Sequence, residues 1–150
     1  MSYYSRHQMS WWLEQAANPR LPLHSRLYAL ALGSHRANGH ALFHRGSRTR
    51  PGDIAVTLGT DRYTGEVVPV APHYVRRLID QLVDWGQLED GSNAACLIVP
   101  RHAVSLGVGD PNAPCPIDHI AVARKHREQR ERLARQRQAQ CPTRRLRAVQ

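Results

Sequence analysis

Residues 71–100 constrain the fold more than any other stretch of this sequence. From Pro72 to Trp85 the large apolar residues are Val75, Leu78, Ile79, Leu82 and Trp85, a three-and-four spacing that stacks them on one helical face. His73, Arg76, Arg77, Asp80 and Asp84 fall on the opposite face. Pro72 suits a first helical turn, where its missing N–H costs nothing, and Gly86 suits a left-handed stop. Gln87-Leu88-Glu89-Asp90 then runs through Gly91-Ser92-Asn93 into Ala95-Cys96-Leu97-Ile98-Val99. Two short runs about a Gly/Ser/Asn turn, the second rich in β-formers, predict a hairpin. The expectation is an amphipathic helix with a partly basic outer face, followed at once by a β-hairpin.

Taken in order, the chain supplies a scaffold for that unit. Ser10 is a cap candidate for a helix opening Trp11-Trp12-Leu13-Glu14 and closing by Asn18-Pro19. Adjacent tryptophans cannot share a helical face. One is expected on the core and the other is a candidate contact for a second subunit, set against the alternative that both are partly buried on the domain. Pro22 opens a helix from Leu23 to about Arg36 with Leu23, Leu27, Leu30 and Ala31 as its apolar stripe, and Asn38-Gly39 closes it. His40 to His44 reads as a short strand joining the hairpin as a third member. Pro51 to Leu58 reads as a short helix with Gly59 as its stop, although Val56 and Thr57 are weak helix formers. About ten loop residues follow, longer than the three or four of a standard helix-turn-helix.

The 150 residues carry a net charge of +9, unevenly spread. Up to Ile117 there are 11 arginines against 9 acids; from Asp118 onward there are 10 basic residues against 3 acids. Most of the excess therefore lies in the C-terminal segment, which favours polyanions, above all nucleic acid. Residues 100–116 are rich in Gly and Pro and read as a linker. Residues 117–140 have helical propensity but almost no apolar face beyond Ile117, Ile120, Ala121 and Leu133, so a solvated basic helix or a disordered tail is expected. No apolar run is long enough to span a membrane. No apolar segment follows Met1–His7 as in a secretory signal, and three scattered cysteines make no disulfide framework, so a cytoplasmic location is expected.

The order helix, strand, helix, helix, hairpin is that of a winged helix-turn-helix domain. The segments Leu27-Tyr28-Ala29-Leu30-Ala31-Leu32, Asn38-Gly39-His40-Ala41, Val83-Asp84-Trp85-Gly86-Gln87-Leu88 and Pro111-Asn112-Ala113-Pro114-Cys115-Pro116 resemble small winged helix-turn-helix proteins of actinobacteria and their phages. The resemblance covers about Pro22 to His119 and implies DNA binding, in regulation or in a mobile element. The expected class is α+β, mainly α. An N-terminal helix occupies residues 1–20, the winged helix 21–100, a Gly/Pro-rich linker 101–116, and a basic extension, helical or disordered, 117–150.

A recognition helix presents its N-terminal residues to base edges, which selects His73, Tyr74, Arg76, Arg77 and Asp80 by position. The alternative is an ordinary Arg76–Asp80 pair on a solvated face. Arg45, Arg48 and Arg50 are phosphate candidates. At the acidic hairpin tip only Ser92, Asn93 or backbone N–H groups could serve. In the basic extension Arg124, Lys125, Arg127, Arg130, Arg144 and Arg145 could follow the phosphate backbone and add salt-sensitive affinity. Single-stranded RNA is disfavoured because stacking aromatics are sparse. Cys96, His102, Cys115 and His119 fit zinc-module spacings only loosely, and Cys96 reads as core, so no metal or other cofactor is expected. Phosphate-binding Gly loops, nucleophile elbows and zincin motifs are missing, and no enzyme is expected. The expected partners are double-stranded DNA and a second copy through the N-terminal helix. The competing reading is a protein-interaction module on a winged-helix scaffold.

Overall fold

The computed structural model describes residues 3–104 and 108–140, with side chains from residue 8 onward. Five helices and one small sheet are formed: α1 (Tyr3–Ala16), α2 (Leu23–Ser34), β1 (His40–Leu42), α3 (Asp53–Leu58), α4 (Pro72–Asp84), β2 (Cys96–Ile98) and α5 (Ile120–Gln140). The described part is mainly helical, with a two-stranded antiparallel sheet. No described helix is long and apolar enough to cross a membrane.

The apolar stripe of α2 builds the centre of the core. Leu27, Leu30 and Ala31 pack with Ile54 and Leu58 of α3, with Val75, Leu78, Ile79 and Leu82 of α4, and with Ala41, Leu97 and Val99 from the sheet region. Trp85 departs from the predicted stripe. Helix α4 ends one residue before it, and its indole is 53% exposed, edge-on to His24, while Val83 takes the buried place. Gly86 has the left-handed backbone expected of it, with φ of 71°. Of the two tryptophans on α1, Trp12 packs against the core and Trp11 is half-exposed.

The predicted hairpin is replaced by a different pairing. Strand β2 pairs with β1, in the register His40 to Ile98, Ala41 to Leu97 and Leu42 to Cys96. Gln87–Asp90 is no strand; it touches the sheet through Glu89 N–H donating to the Ile98 carbonyl (2.9 Å). The side chain of Ser92 explains why this segment curls. Its buried hydroxyl donates to the Glu89 carbonyl (2.9 Å) and accepts the Ile98 N–H (3.0 Å), closing a loop where a second strand would have run.

The connection from α3 to α4, residues 59–71, is ordered. Asp61 Oδ1 accepts the Tyr63 and Thr64 N–H groups, and Thr60 bridges to Val67. The guanidinium of Arg62 lies 4.9 Å from the Tyr63 ring centre. Helix α5 runs through Gln140 as the helical alternative expected, mostly exposed to solvent, and rests on α4 along one limited face. Its inner face is Val122, Ala123, His126, Gln129, Arg130 and Leu133, a helical spacing in which three of the six members are polar.

Candidate nucleic-acid interface

Helix α4 begins with Pro72 in its first turn, and its buried stripe turns the other side outward. His73, Tyr74, Arg76 and Arg77 are all exposed at its N-terminal half. The loop before α3 adds three exposed arginines, Arg45, Arg48 and Arg50. Its shape follows from short polar side chains. The Ser47 hydroxyl accepts the Thr49 and Arg50 N–H groups, and Asp53 Oδ2 accepts the His44 N–H (2.8 Å). Arg50 lies 4.0 Å from Asp53, a loose pair with both partners largely exposed.

A groove of about 360 Å³ runs between these elements, with Ile54, Val75 and Ile79 on its floor. Arg45 from the loop, Arg76 from α4 and Lys125 from α5 all line it. The sequence placed these three in separate groups; the fold brings them to one surface.

Four of the sequence candidates, Asp80, Arg130, Ser92 and Asn93, are committed to partners within the fold. Asp80 accepts a hydrogen bond from His126 Nε2–H at 3.0 Å. The tautomer is set by the other ring nitrogen, because buried Nδ1 accepts the Gly91 N–H (3.2 Å). Arg130 forms a bidentate pair with Asp90, so the acidic loop tip and one basic residue of the extension neutralise each other. Ser92 is 1% exposed with both hydroxyl functions used internally, which removes it from the phosphate candidates. Asn93 is partly buried and donates to the Gly91 carbonyl (3.0 Å). Arg124, 3.9 Å from Glu128, and Arg127 are exposed; Arg144 and Arg145 lie outside the described residues.

The Arg130 guanidinium beside Asp90 holds that carboxyl below the usual carboxylate range, partly offset by desolvation. A carboxyl depressed in the folded state stabilises it fully above its unfolded value, about 3.9, and that contribution is lost as pH falls through the folded value. Asp90→Asn should therefore cost up to about 1 kcal/mol near neutral pH, given the part-exposed pair, and nothing at the acid end. Urea titrations of both proteins from pH 7 down to the acid limit of folding measure it. A constant difference across that range would contradict the assignment.

Of the four residues whose spacing fits a zinc module only loosely, three come together. His102 is exposed in a single 3-10 turn (Arg101–Ala103), whereas Cys96, Cys115 and His119 converge with His40, a residue the spacing analysis passed over. Cys96 is fully buried, in keeping with its reading as a core residue, although it is not part of the main hydrophobic cluster. Burial and the neighbouring Cys115 push its thiol up, while desolvation and His119 lower His40. No protein-family model, curated protein or solved structure matches this chain.

Proposed function

We propose that this protein binds double-stranded DNA through a winged-helix core in which α3 and α4 form an extended helix-turn-helix and α4 enters the major groove. The observation that carries the reading is the convergence of Arg45, Arg76 and Lys125 on one groove beside the exposed His73, Tyr74 and Arg77. The order α2, β1, α3, α4, β2, with β1 paired to β2, supports a winged helix whose wing is reduced to the loop 87–95. Arg76 and Arg77 have the reach and fork geometry to read guanine, and Arg48, Arg50 and Arg124 to hold phosphates. Role follows from partner: a transcriptional regulator or a site- or origin-binding factor.

Fluorescence anisotropy with duplex DNA over a salt series tests it. The Arg76→Ala/Arg77→Ala double variant should bind its site at least about 30-fold more weakly, at about 1–3 kcal/mol per base-reading arginine. Arg48→Ala and Arg50→Ala should each lower the salt slope by about one while leaving sequence preference intact. Unchanged affinity in the double variant would refute a recognition role for α4.

The competing protein-interaction reading has its own support. Trp11 and Trp85 are half-exposed and line one shallow groove with Trp12 and Tyr28, on elements other than the arginine loop. A partner held there would be insensitive to Arg76 and Arg77 and lost on Trp85→Ala, which separates the two readings.

A further inference from the structure

The geometry points to a second, independent site: His40, Cys96, Cys115 and His119 form a tetrahedral Cys2His2 centre for one zinc ion that fastens the C-terminal extension to the sheet. It stands whether or not α4 reads DNA.

The four donor atoms lie within 4.8 Å of one another. Cys96 Sγ and Cys115 Sγ are 3.8 Å apart, His40 Nδ1 is 3.3 Å from Cys96 Sγ, and His119 Nε2 is 3.2 Å from Cys115 Sγ. Zinc bonds of about 2.3 Å to sulfur and 2.0–2.1 Å to nitrogen, at tetrahedral angles, give S···S edges of about 3.8 Å and S···N edges of about 3.5 Å. Of these three edges, the S···S edge matches and the two S···N edges fall a few tenths short; the other donor pairs lie within 4.8 Å, so the ion would draw the quartet together. A disulfide would bring the sulfurs to about 2.05 Å.

The surroundings suit ligands rather than packing. In the register of the sheet, Ala41 and Leu97 face the helices, so His40 and Cys96 share the opposite face, as diagonal neighbours on adjacent strands. The loop through Cys115 and the start of α5 cover that face. His119 Nδ1–H donates to the Gly91 carbonyl (2.8 Å), which leaves the Nε2 lone pair directed toward Cys115. A histidine oriented through its second nitrogen by a backbone carbonyl is the usual outer support of a zinc ligand. Two soft sulfurs and two imidazoles, with no carboxylate among them, select zinc over calcium or magnesium, and four protein donors describe a closed structural site.

The role follows from where the ligands come from. Two sit on the sheet and two flank the step from the Gly/Pro-rich linker into α5, which holds few apolar residues of its own. One metal ion would supply the cross-link that hydrophobic burial does not, and would set α5 where His126 meets Asp80 and Lys125 meets the groove.

Metal analysis of the full chain, purified with thiols reduced and without chelator, should find about one zinc per chain. Replacing zinc with cobalt should give the intense visible bands of tetrahedral cobalt together with thiolate-to-cobalt charge transfer. Cys115→Ser and His119→Ala should lose the metal; His102→Ala and Cys141→Ser should keep it. The cobalt spectrum is read on the unaltered chain, so a variant that fails to fold does not blunt the test. Folded, reduced protein that takes up no zinc, an octahedral cobalt spectrum, or metal lost with Cys141→Ser would each overturn the assignment.

Discussion

Replacing Arg26 with methionine should lower the melting temperature by about 10 °C. Arg26 is 5% exposed, on α2, and its guanidinium serves three carbonyls at the ends of two other helices: Nε–H donates to Ala16 O at 2.8 Å, and Nη2–H to Thr57 O at 3.2 Å and Thr60 O at 2.9 Å. Ala16 closes α1, Thr57 is in the last turn of α3, where its carbonyl also accepts the Thr60 N–H (3.2 Å), and Thr60 lies just beyond that helix, so these carbonyls depend on partners from outside the regular helical ladder. The cation also meets the negative end of both helix dipoles. Methionine keeps the apolar stem and leaves those carbonyls facing a dry space, and because they are backbone groups no side-chain change can remove them. The expected loss is about 3–5 kcal/mol. At about 2–4 °C per kcal/mol for a chain of this size, that is a shift of about 10 °C. Arg26→Lys should fall between, since one ammonium cannot span three acceptors in that plane. Burial lowers the pKa of Arg26 and Asp61 partly restores it, so the group remains a cation. A calorimetric melting point within about 2 °C of the parent would show that water replaces the guanidinium without penalty.

Sequence made much of the scaffold legible and little of what joins its parts. Helix α2 and the stripe of α4 were readable because burying one face of a helix imposes a period on the chain, and Leu27, Leu30, Leu78 and Leu82 keep it. Gly86 was readable because a left-handed turn needs a glycine. Arg26 was not, because an arginine between Ser25 and Leu27 carries no mark of the three carbonyls that surround it. Nor was the docking of α5, which rests on polar pairs, His126 with Asp80 and Arg130 with Asp90, and so leaves no hydrophobic period. Of the His40, Cys96, Cys115, His119 cluster, the close pair Cys115 and His119 and the more distant Cys96 were visible as a loose spacing, but His40 was not. It reaches them only because β1 pairs with β2, more than fifty residues on, and spacing rules detect pairs that are close in sequence. The strand pairing was half-legible. The β-forming run at 95–99 was evident, but its partner was decided by Ser92, whose hydroxyl closes the loop locally.

Gly59→Ala should destabilise the protein by about 3–5 kcal/mol, through space rather than backbone freedom. Gly59 follows α3 with φ of −88°, a conformation any residue adopts, so its role as a helix stop does not demand glycine. A Cβ there would stand 2.0 Å from the Val68 carbonyl oxygen and 2.9 Å from Pro69 Cα, both backbone atoms. The 59–71 connection must then move away from α3. That movement strains the bonds from Val68 N–H to Gly59 O (3.0 Å) and from Val70 N–H to Ala55 O (3.1 Å). Overpacking at about 1–3 kcal/mol and two weakened backbone bonds at about 1 kcal/mol each set the magnitude. The consequence is directional. Pro72 opens α4 just beyond Val70, so the shift reaches the first turn of α4 and with it His73, Tyr74, Arg76 and Arg77. Under the DNA-binding reading, Gly59→Ala should weaken site affinity even at a temperature where circular dichroism shows it fully folded, whereas Arg26→Met should weaken it only as it unfolds. Equal affinity for parent and Gly59→Ala on the same duplex, with the stability loss confirmed, would mean that the connection does not set the pose of α4.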